Sequence, residues 1–454
     1  MRPDNLKSFI TLLEEADELV RVSTLVDPYL EISTIINRVS KGAARCRALF
    51  FEQVKGSEIP LVANLFGSLT RVGWALGTTD LKALVKQFSR DLAETGDEDA
   101  HAALAKLVAK PLWLPEPAEA HWLDQDLSAQ GLTSLPVLQS WPGDGGRYIT
   151  LGQVFTLHPE HGPQNCGMYR VQVINPENAL IHWRPESGGA MHMQAWHARG
   201  KAMPVAIALG GPPVMTWAAG LPLPAGISEA DLAGYLTGSP LGFAACQTSD
   251  LCVPATAEVV IEGTIPPGQT RLEGPFGNHT GRYAPPTEAP VINVLQIFCQ
   301  KHAVYPCTVV GPPPMEDLFL AKATERLMLP MLQHDYPWVQ DVHMPLEGIF
   351  HRAAVVSVES STAGSVRDIA ESLWSSILLK NARLLVLVSA GEKLDDPSHV
   401  YWRLVNAADW SKHVLLDGSK LVIDARSQPG AAEVKADPAV LHRVLQRWQD
   451  YGLN

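Results

Sequence analysis

Two short stretches of the chain hold most of the residues that could do chemistry. Asn165-Cys166-Gly167-Met168-Tyr169-Arg170 offers an amide able to ligate a hard cation and, five residues later, a guanidinium able to hold a carboxylate bidentately. Glu273-Gly274-Pro275-Phe276-Gly277-Asn278-His279-Thr280-Gly281 sets an acid before a loop that proline stiffens and glycine turns sharply. In an apolar wall Glu273 would titrate above the ordinary carboxylate range and could donate a proton. Each stretch also has a plainer reading, with Arg170 in a surface ion pair and Glu273 a solvated loop acid. Cys166 reads as a small packed residue rather than a nucleophile, because no His or Lys neighbours it in sequence to lower its pKa.

Competing chemistries lack their signatures. There is no G-x-x-x-x-G-K-[ST], no G-x-G-x-x-G after a strand, no H-E-x-x-H and no G-x-S-x-G. With 36 Lys+Arg against 48 Asp+Glu the net charge is −12, and no basic run exists to grip phosphates, which argues against nucleic acid as a partner. Six cysteines without a C-x-x-C pair suit reduced thiols better than a disulfide frame or zinc ribbon. The N-terminus has acids inside its apolar pattern, unlike a secretion signal, and the apolar run Met203–Met215 is cut by Gly210-Gly211-Pro212-Pro213, so no membrane span is expected. A soluble cytoplasmic protein is the expectation.

The elements that must position these residues can be read from periodicity. Leu6, Phe9, Ile10 and Leu13 repeat at helical spacing, as do Ile32, Ile35, Ile36 and Val39 behind Asp27-Pro28, an expected N-cap with proline at the first helical position. Polar residues 94–99 and the proline-rich Pro111–Pro117 predict a linker. Short β-branched runs follow at Ile149–Leu157, Tyr169–Ile174, Val205–Leu209, Ala257–Ile261, Val291–Phe298 and Val304–Val310, predicting a barrel or strongly bent sheet. Glu316–Leu329 reads as a helix that Pro330 stops or kinks. The strand Ala353–Val358, a helix with Val366, Ile369, Ala370, Leu373, Trp374 and Ile377 on one face, and the strand Leu384–Val388 predict a further small α/β unit. The 454 residues allow two or three domains, each with a real core.

In this order and spacing the motifs resemble the UbiD family of reversible aromatic-acid decarboxylases, which use prenylated FMN. The likeness runs from VDPYLEIS and NLFGS through NCGMYRVQV, HWRPESGGAMH, GISEADLAGYLTG, VPATAEVVIEG, EGPFGNHTGRY and GPPPMED to GSKLVIDAR. It implies that Arg170 grips the departing carboxylate and that Glu273 hydrogen-bonds to that arginine. The family's second acid, the proton donor, falls on Asn278, which leaves His279, Glu273 or a held water to reprotonate. The family holds the flavin phosphate through a divalent metal, commonly Mn2+, with K+ close by. Asn165 and Glu229 match two of its ligands, Glu186 stands where the family has His, and His192 is a possible substitute. Met168 and Arg383 match cofactor-binding positions, with Arg383 where many members carry Lys.

The resemblance further implies an α/β fold of four parts: an N-terminal α/β domain at 1–115, a split β-barrel binding prenylated FMN at 116–314, a linker helix at 315–335, and a C-terminal α/β oligomerisation domain at 336–454. A homo-oligomer (dimer or hexamer) is expected, with Met328-Leu329-Pro330-Met331-Leu332 as a subunit seam. A flavin prenyltransferase would supply the cofactor. The implied activity is a carboxy-lyase releasing CO2 from an aromatic, heteroaromatic or α,β-unsaturated acid, with the 3-polyprenyl-4-hydroxybenzoate step of ubiquinone biosynthesis a specific candidate. Asn278, Glu186 and an apparently shortened wall between Leu416 and Gly418 favour another small aromatic acid. Two alternatives stand beside it: a non-catalytic flavin-binding paralogue or partner subunit, and a metal-dependent hydrolase using Asn165, Glu186, His192 and Glu229.

Overall fold

The computed structural model describes residues 2–42, 46–97, 99–359, 364–426, 434 and 436–452. Glu98, within the expected linker, lies outside the described residues. The chain opens with the helix Leu6–Glu15, whose N-terminus is closed reciprocally: the Asn5 side chain accepts from Ser8 N–H and the Ser8 hydroxyl from Asn5 N–H. Leu6, Phe9, Ile10 and Leu13 are its buried stripe, as their spacing predicts. The second helix, Glu31–Lys41, starts three residues later than Asp27-Pro28 implied. Its N-cap is Leu30, at φ 67°, with no side-chain cap. Asp27 instead accepts from Tyr29 N–H, while its own N–H donates to the Glu31 carboxylate. The local turn outcompetes the capping geometry.

Strands Leu19–Val22, Ala48–Phe51 and Leu61–Ala63 form the first sheet, and its fourth strand, Tyr305–Cys307, arrives from more than two hundred residues downstream to pair parallel with Leu61–Ala63. The expected linker region holds a helix, Ala100–Val108, whose Ala103, Leu104 and Leu107 are buried against the long helix Glu316–Asp335 and its neighbours. That long helix runs through Pro330 without stopping. Proline removes one donor there, but Met328, Leu329, Met331 and Leu332 are buried in the chain's own core on either side. The expected subunit seam is therefore an internal one, and tertiary packing outweighs the lost hydrogen bond.

The centre of the molecule is a ten-stranded sheet curled into a half-barrel. The strand Thr287–Cys299 is its backbone: it pairs antiparallel with Asn178–Ile181, Ala257–Ile265, Thr270–Glu273 and Gln125–Asp126. Beyond Ala257–Ile265 lie Met203–Gly210, Gln153–Thr156 and Asn165–Met168. Alternate residues of these strands, such as Ile207, Leu209, Val259 and Ile261, fill one core, and Ala206, Ala208 and Val260 face another. The expected strand Ile149–Leu157 is two strands, Arg147–Ile149 and Gln153–Thr156. At the C-terminal end a five-stranded sheet runs Val339–His343, Ala353–Val358, Leu384–Ser389, Lys420–Asp424, Val414–Asp417, with the middle three parallel. The helix Val366–Ser375 supports it through Ile369, Ala370, Leu373 and Trp374. Among the described residues no helix is long and apolar enough to cross a membrane.

Candidate functional site

Glu273 ends the strand Thr270–Glu273, pairing with Thr287 across the ladder, and its side chain is wholly buried. Gly274 follows at φ +101°, a conformation that favours glycine, and its N–H donates to Gln172 Oε1 at 2.9 Å. Gln172 in turn donates to Gly145 O at 2.8 Å; a Cβ on Gly145 would stand 2.2 Å from Gly274 O. Asp144 fixes the loop beyond by accepting from Gly277 N–H and Trp141 N–H, both at 2.8 Å. The acid is therefore held from both sides by backbone.

Arg170 meets it from just beyond the strand Asn165–Met168. Its Nε donates to Glu273 Oε1 at 2.9 Å and its Nη2 to Oε2 at 2.7 Å, the parallel fork that guanidinium and carboxylate make best. The guanidinium lies 4.7 Å over the Phe276 ring, which itself packs 4.6 Å from Tyr148. His182, in the HWRPESGGAMH segment, completes the group: its Nδ1 is 3.2 Å from both Glu273 Oε2 and Arg170 Nη2. Burial alone would push the Glu273 carboxyl up, as the sequence suggested. The hydrogen bonds from His182 and Arg170 and their charges win, holding it down at about 2. In this pairing Glu273 sits below the ordinary carboxylate range, the opposite direction from the rise its loop context suggested. Arg170 keeps Nη1 without a hydrogen-bond partner among the described residues.

Asn278 does not reach toward this pair as a free amide; its Oδ1 accepts from Thr280 N–H at 2.9 Å and from the Thr280 hydroxyl at 2.7 Å, a local turn. His279 is placed differently. Its Nε2 makes a very short contact to Asp317 Oδ2, from the first turn of the long helix, and Phe350 packs edge-on to its ring at 5.3 Å. Asp317 Oδ1 is buried without a hydrogen-bond partner. His279 borders a cavity of about 470 Å³ together with Thr280, Pro313, Leu346, Glu347, Ile349 and Arg352. Nearby, His351 is held at about 4 by burial and by the positive charges of Arg184, Arg352, His279 and Arg383. Arg383 therefore belongs to a cationic group at the N-terminal end of the central strand, Leu384–Ser389, of the C-terminal sheet. Sequence reasoning missed Arg352 and His351, which no local motif marks; His182 and Asp317 stood inside quoted motifs, HWRPESGGAMH and GPPPMED, without a role.

A second cluster surrounds Asn165. The hairpin that carries it pairs Thr156 with Asn165 and Gln153 with Met168, and Met168 N–H donates to Ala219 O at 2.7 Å. Asn165 Nδ2 is buried with no partner. A Cβ on Gly188 would lie 2.0 Å from Asn165 Oδ1, and one on Gly167 would lie 2.3 Å from the Tyr169 ring, so both glycines make room for what packs there. Glu229, at the start of the helix Glu229–Thr237, is buried and accepts from Cys166 N–H at 2.9 Å. Burial pushes its carboxyl up to about 7. Cys166 is buried too, and that burial pushes its thiol well up, which agrees with a packing role. Glu186 is exposed at φ 66°, immediately before Ser187, the N-cap of the helix Gly188–Ala198. His192 sits on that helix, with Nδ1 3.0 Å from the Thr156 hydroxyl. An amide oxygen and a buried carboxylate form a hard donor set that suits a divalent cation, so this cluster fits the metal and phosphate the resemblance implies.

Comparison with known proteins identifies the family and the fold. Residues 10–90, 117–313 and 318–435 match the family models for the N-terminal, Rift-related and C-terminal domains of 3-octaprenyl-4-hydroxybenzoate carboxy-lyase. An uncharacterized protein of Aquifex aeolicus is 35% identical over 483 residues, covering 99% of each chain. Among solved structures, vanillic acid decarboxylase of Sedimentibacter hydroxybenzoicus in its closed form superposes with a TM-score of 0.88 at 23% identity, covering 100% of each chain. The UbiD-class enzyme HmfF of Pelotomaculum thermopropionicum, in complex with FMN, gives a TM-score of 0.79 at 26% identity, covering 98% of this chain and 100% of that one. Fold and site together define a carboxy-lyase, a decarboxylase of mixed α/β architecture. The chain belongs to the UbiD family.

Proposed function

We propose that this protein is a prenylated-FMN-dependent, non-oxidative and reversible decarboxylase of a small aromatic, heteroaromatic or α,β-unsaturated acid. The Arg170–Glu273 fork carries the reading: the buried Glu273 carboxylate orients the Arg170 guanidinium, while Nη1 stays available for one oxygen of a substrate carboxylate. Glu273 also repels a second anion from that wall, so the substrate carboxylate is steered to the guanidinium alone. When bound, prenylated FMN supplies the electron sink that lets a carboxylate leave as neutral CO2. Asn165 and Glu229 would hold the phosphate-bound divalent metal, with Glu186 as a third oxygen ligand from the solvent side and K+ nearby. Met168 and Arg383 would contact the cofactor.

Loss of CO2 leaves an electron pair on carbon that must take up a proton. Asn278 has none to give. His279, oriented by Asp317 and bordering the cavity, is our assignment for the donor. The cavity of about 470 Å³ suits a small acid better than a polyprenylated one. The 3-polyprenyl-4-hydroxybenzoate step of ubiquinone biosynthesis is the finer candidate to test against it. A split barrel clasping the flavin, a C-terminal α/β domain that joins subunits into dimers or hexamers, and supply of cofactor by a flavin prenyltransferase complete the reading.

The test is to co-express the protein with a flavin prenyltransferase, supply Mn2+ and K+, and record absorption and mass spectra of the released cofactor. The expected result is prenylated FMN near one per chain and CO2 release from members of an aromatic-acid panel, lost in Arg170→Ala. Folded protein that takes up no flavin would instead mark a non-catalytic paralogue or partner subunit.

A further inference from the structure

The hairpin that delivers Asn165 has chemistry at its tip that the proposed reaction does not use. Between the strands Gln153–Thr156 and Asn165–Met168 the chain reads Leu157-His158-Pro159-Glu160-His161-Gly162-Pro163-Gln164. One ligand atom from each of His158, Glu160 and His161 lies within 4.8 Å of the other two, the one such His/Cys/Asp/Glu group among the described residues. The His158 and His161 rings are 4.1 Å apart, and the His192 ring packs edge-on behind His158 at 5.8 Å. Glu160 N–H donates to His158 Nδ1 at 3.3 Å, which leaves His158 Nε2 as the nitrogen able to take a metal. Arg199 pairs with Glu160 Oε1 and leaves Oε2 free.

We infer that His158, Glu160 and His161 form a binding site for a borderline divalent transition metal such as zinc, separate from the Asn165 and Glu229 cluster. Two imidazoles and a carboxylate are the mixed N/O set such ions prefer, while an oxygen-only pair like Asn165 and Glu229 favours manganese or magnesium. Zinc takes these donors at about 2.0–2.2 Å, so neighbouring donors end roughly 3.3 Å apart. Glu160 and His161 are exposed, so closing to that spacing requires only side-chain rotation. Water would fill the remaining position.

The site has a structural consequence. The tip is already tied to the helix Gly188–Ala198 and its C-cap by three contacts: Glu160 to Arg199, Thr156 to His192, and the Trp196 indole N–H to Leu157 O at 2.8 Å. The other end of that helix presses Gly188 against Asn165. A metal on the tip would stiffen the hairpin and helix as one piece, a positioning role for the residues that hold the cofactor.

Chelator-dialysed wild-type protein, without flavin, would be titrated with Zn2+ against a chromophoric chelator, and with Co2+ while its visible d–d bands are recorded. The expected result is one zinc equivalent with a four- or five-coordinate cobalt spectrum and a raised Tm. His158→Ala/His161→Ala would lose that equivalent, the bands and the Tm rise, while Glu229→Gln keeps all three. The paired His158→Gln/His161→Gln variant, checked for fold by circular dichroism, should behave like the alanine pair. Absence of zinc binding by wild type, or an equivalent and cobalt spectrum that survive both double substitutions, would overturn the inference. These readouts do not involve decarboxylation, so they stand or fall apart from the proposed function.

Discussion

At the scale of single residues the site rests on the Glu273 carboxyl, which despite its burial the hydrogen bonds from His182 and Arg170 hold below the ordinary range. Glu273 has a folded pKa of about 2 against an ordinary 4.5. Its contribution to stability is therefore fully present above about pH 4.5 and is lost as pH falls through 2. Urea unfolding of wild type and Glu273→Gln should differ most above about pH 5, with the difference shrinking as pH falls from 4.5 toward 2. The same variant should lose roughly 100-fold or more in kcat/KM, because Arg170 then lacks its fixed counter-ion. His279 and Asp317 make a separable claim. Replacing His279 by Gln should cost roughly 100-fold in kcat. Asp317→Asn should cost less, roughly 10-fold in kcat, because the amide holds the His279 ring more weakly than the carboxylate does. A kcat unchanged in Asp317→Asn counts against the dyad.

At the scale of elements, two glycines and a hairpin register set the cluster proposed to bind the cofactor. The pairing of Thr156 with Asn165 aims the amide at the N-terminus of the helix Gly188–Ala198, and Gly188 leaves it room. Gly188→Ala would put a methyl 2.0 Å from Asn165 Oδ1. It should weaken Mn2+ binding, measured by electron paramagnetic resonance titration, by roughly 10-fold or more, with the helical circular dichroism unchanged. The helices of the N-terminal part and the C-terminal strands Ala353–Val358 and Leu384–Ser389 were readable from periodicity, because their apolar spacing answers to one core face. The start of Glu31–Lys41 and the passage of the long helix through Pro330 were not. In both cases contacts distant in sequence, or a competing local turn, outvoted a local rule.

For the whole molecule, the strand Tyr305–Cys307 sews the end of the central sheet region into the N-terminal sheet. A fragment comprising 116–314 alone leaves that strand without Leu61–Ala63, and it should show no cooperative thermal unfolding by calorimetry. Buried acids add a pH dependence of opposite sign to that of Glu273. Burial raises Glu258 and Glu316 to about 7, chiefly by desolvation. Groups so raised stabilise the fold fully below their ordinary 4.5, and that contribution is lost as pH rises through 7. Urea midpoints should therefore decline from about pH 4.5 to 7 and level off above it, and Glu316→Gln, which still accepts from Phe66 N–H, should flatten part of that decline.

The residues of the site, their order and the family they belong to were legible in the linear chain, because glycine-bounded loops and paired amide, guanidinium and carboxylate groups leave a local signature. So was the mixed α/β architecture, through alternation and helical spacing. Only the tertiary structure decided what those groups are. Glu273 became an anion because Arg170 and His182, brought from more than ninety residues away, outweigh the desolvation that sequence context suggested. Asp317 found His279, and Tyr305–Cys307 found Leu61–Ala63, through contacts no local pattern encodes. A pKa and a pairing partner depend on distance in space, and that quantity exists only once the chain has folded.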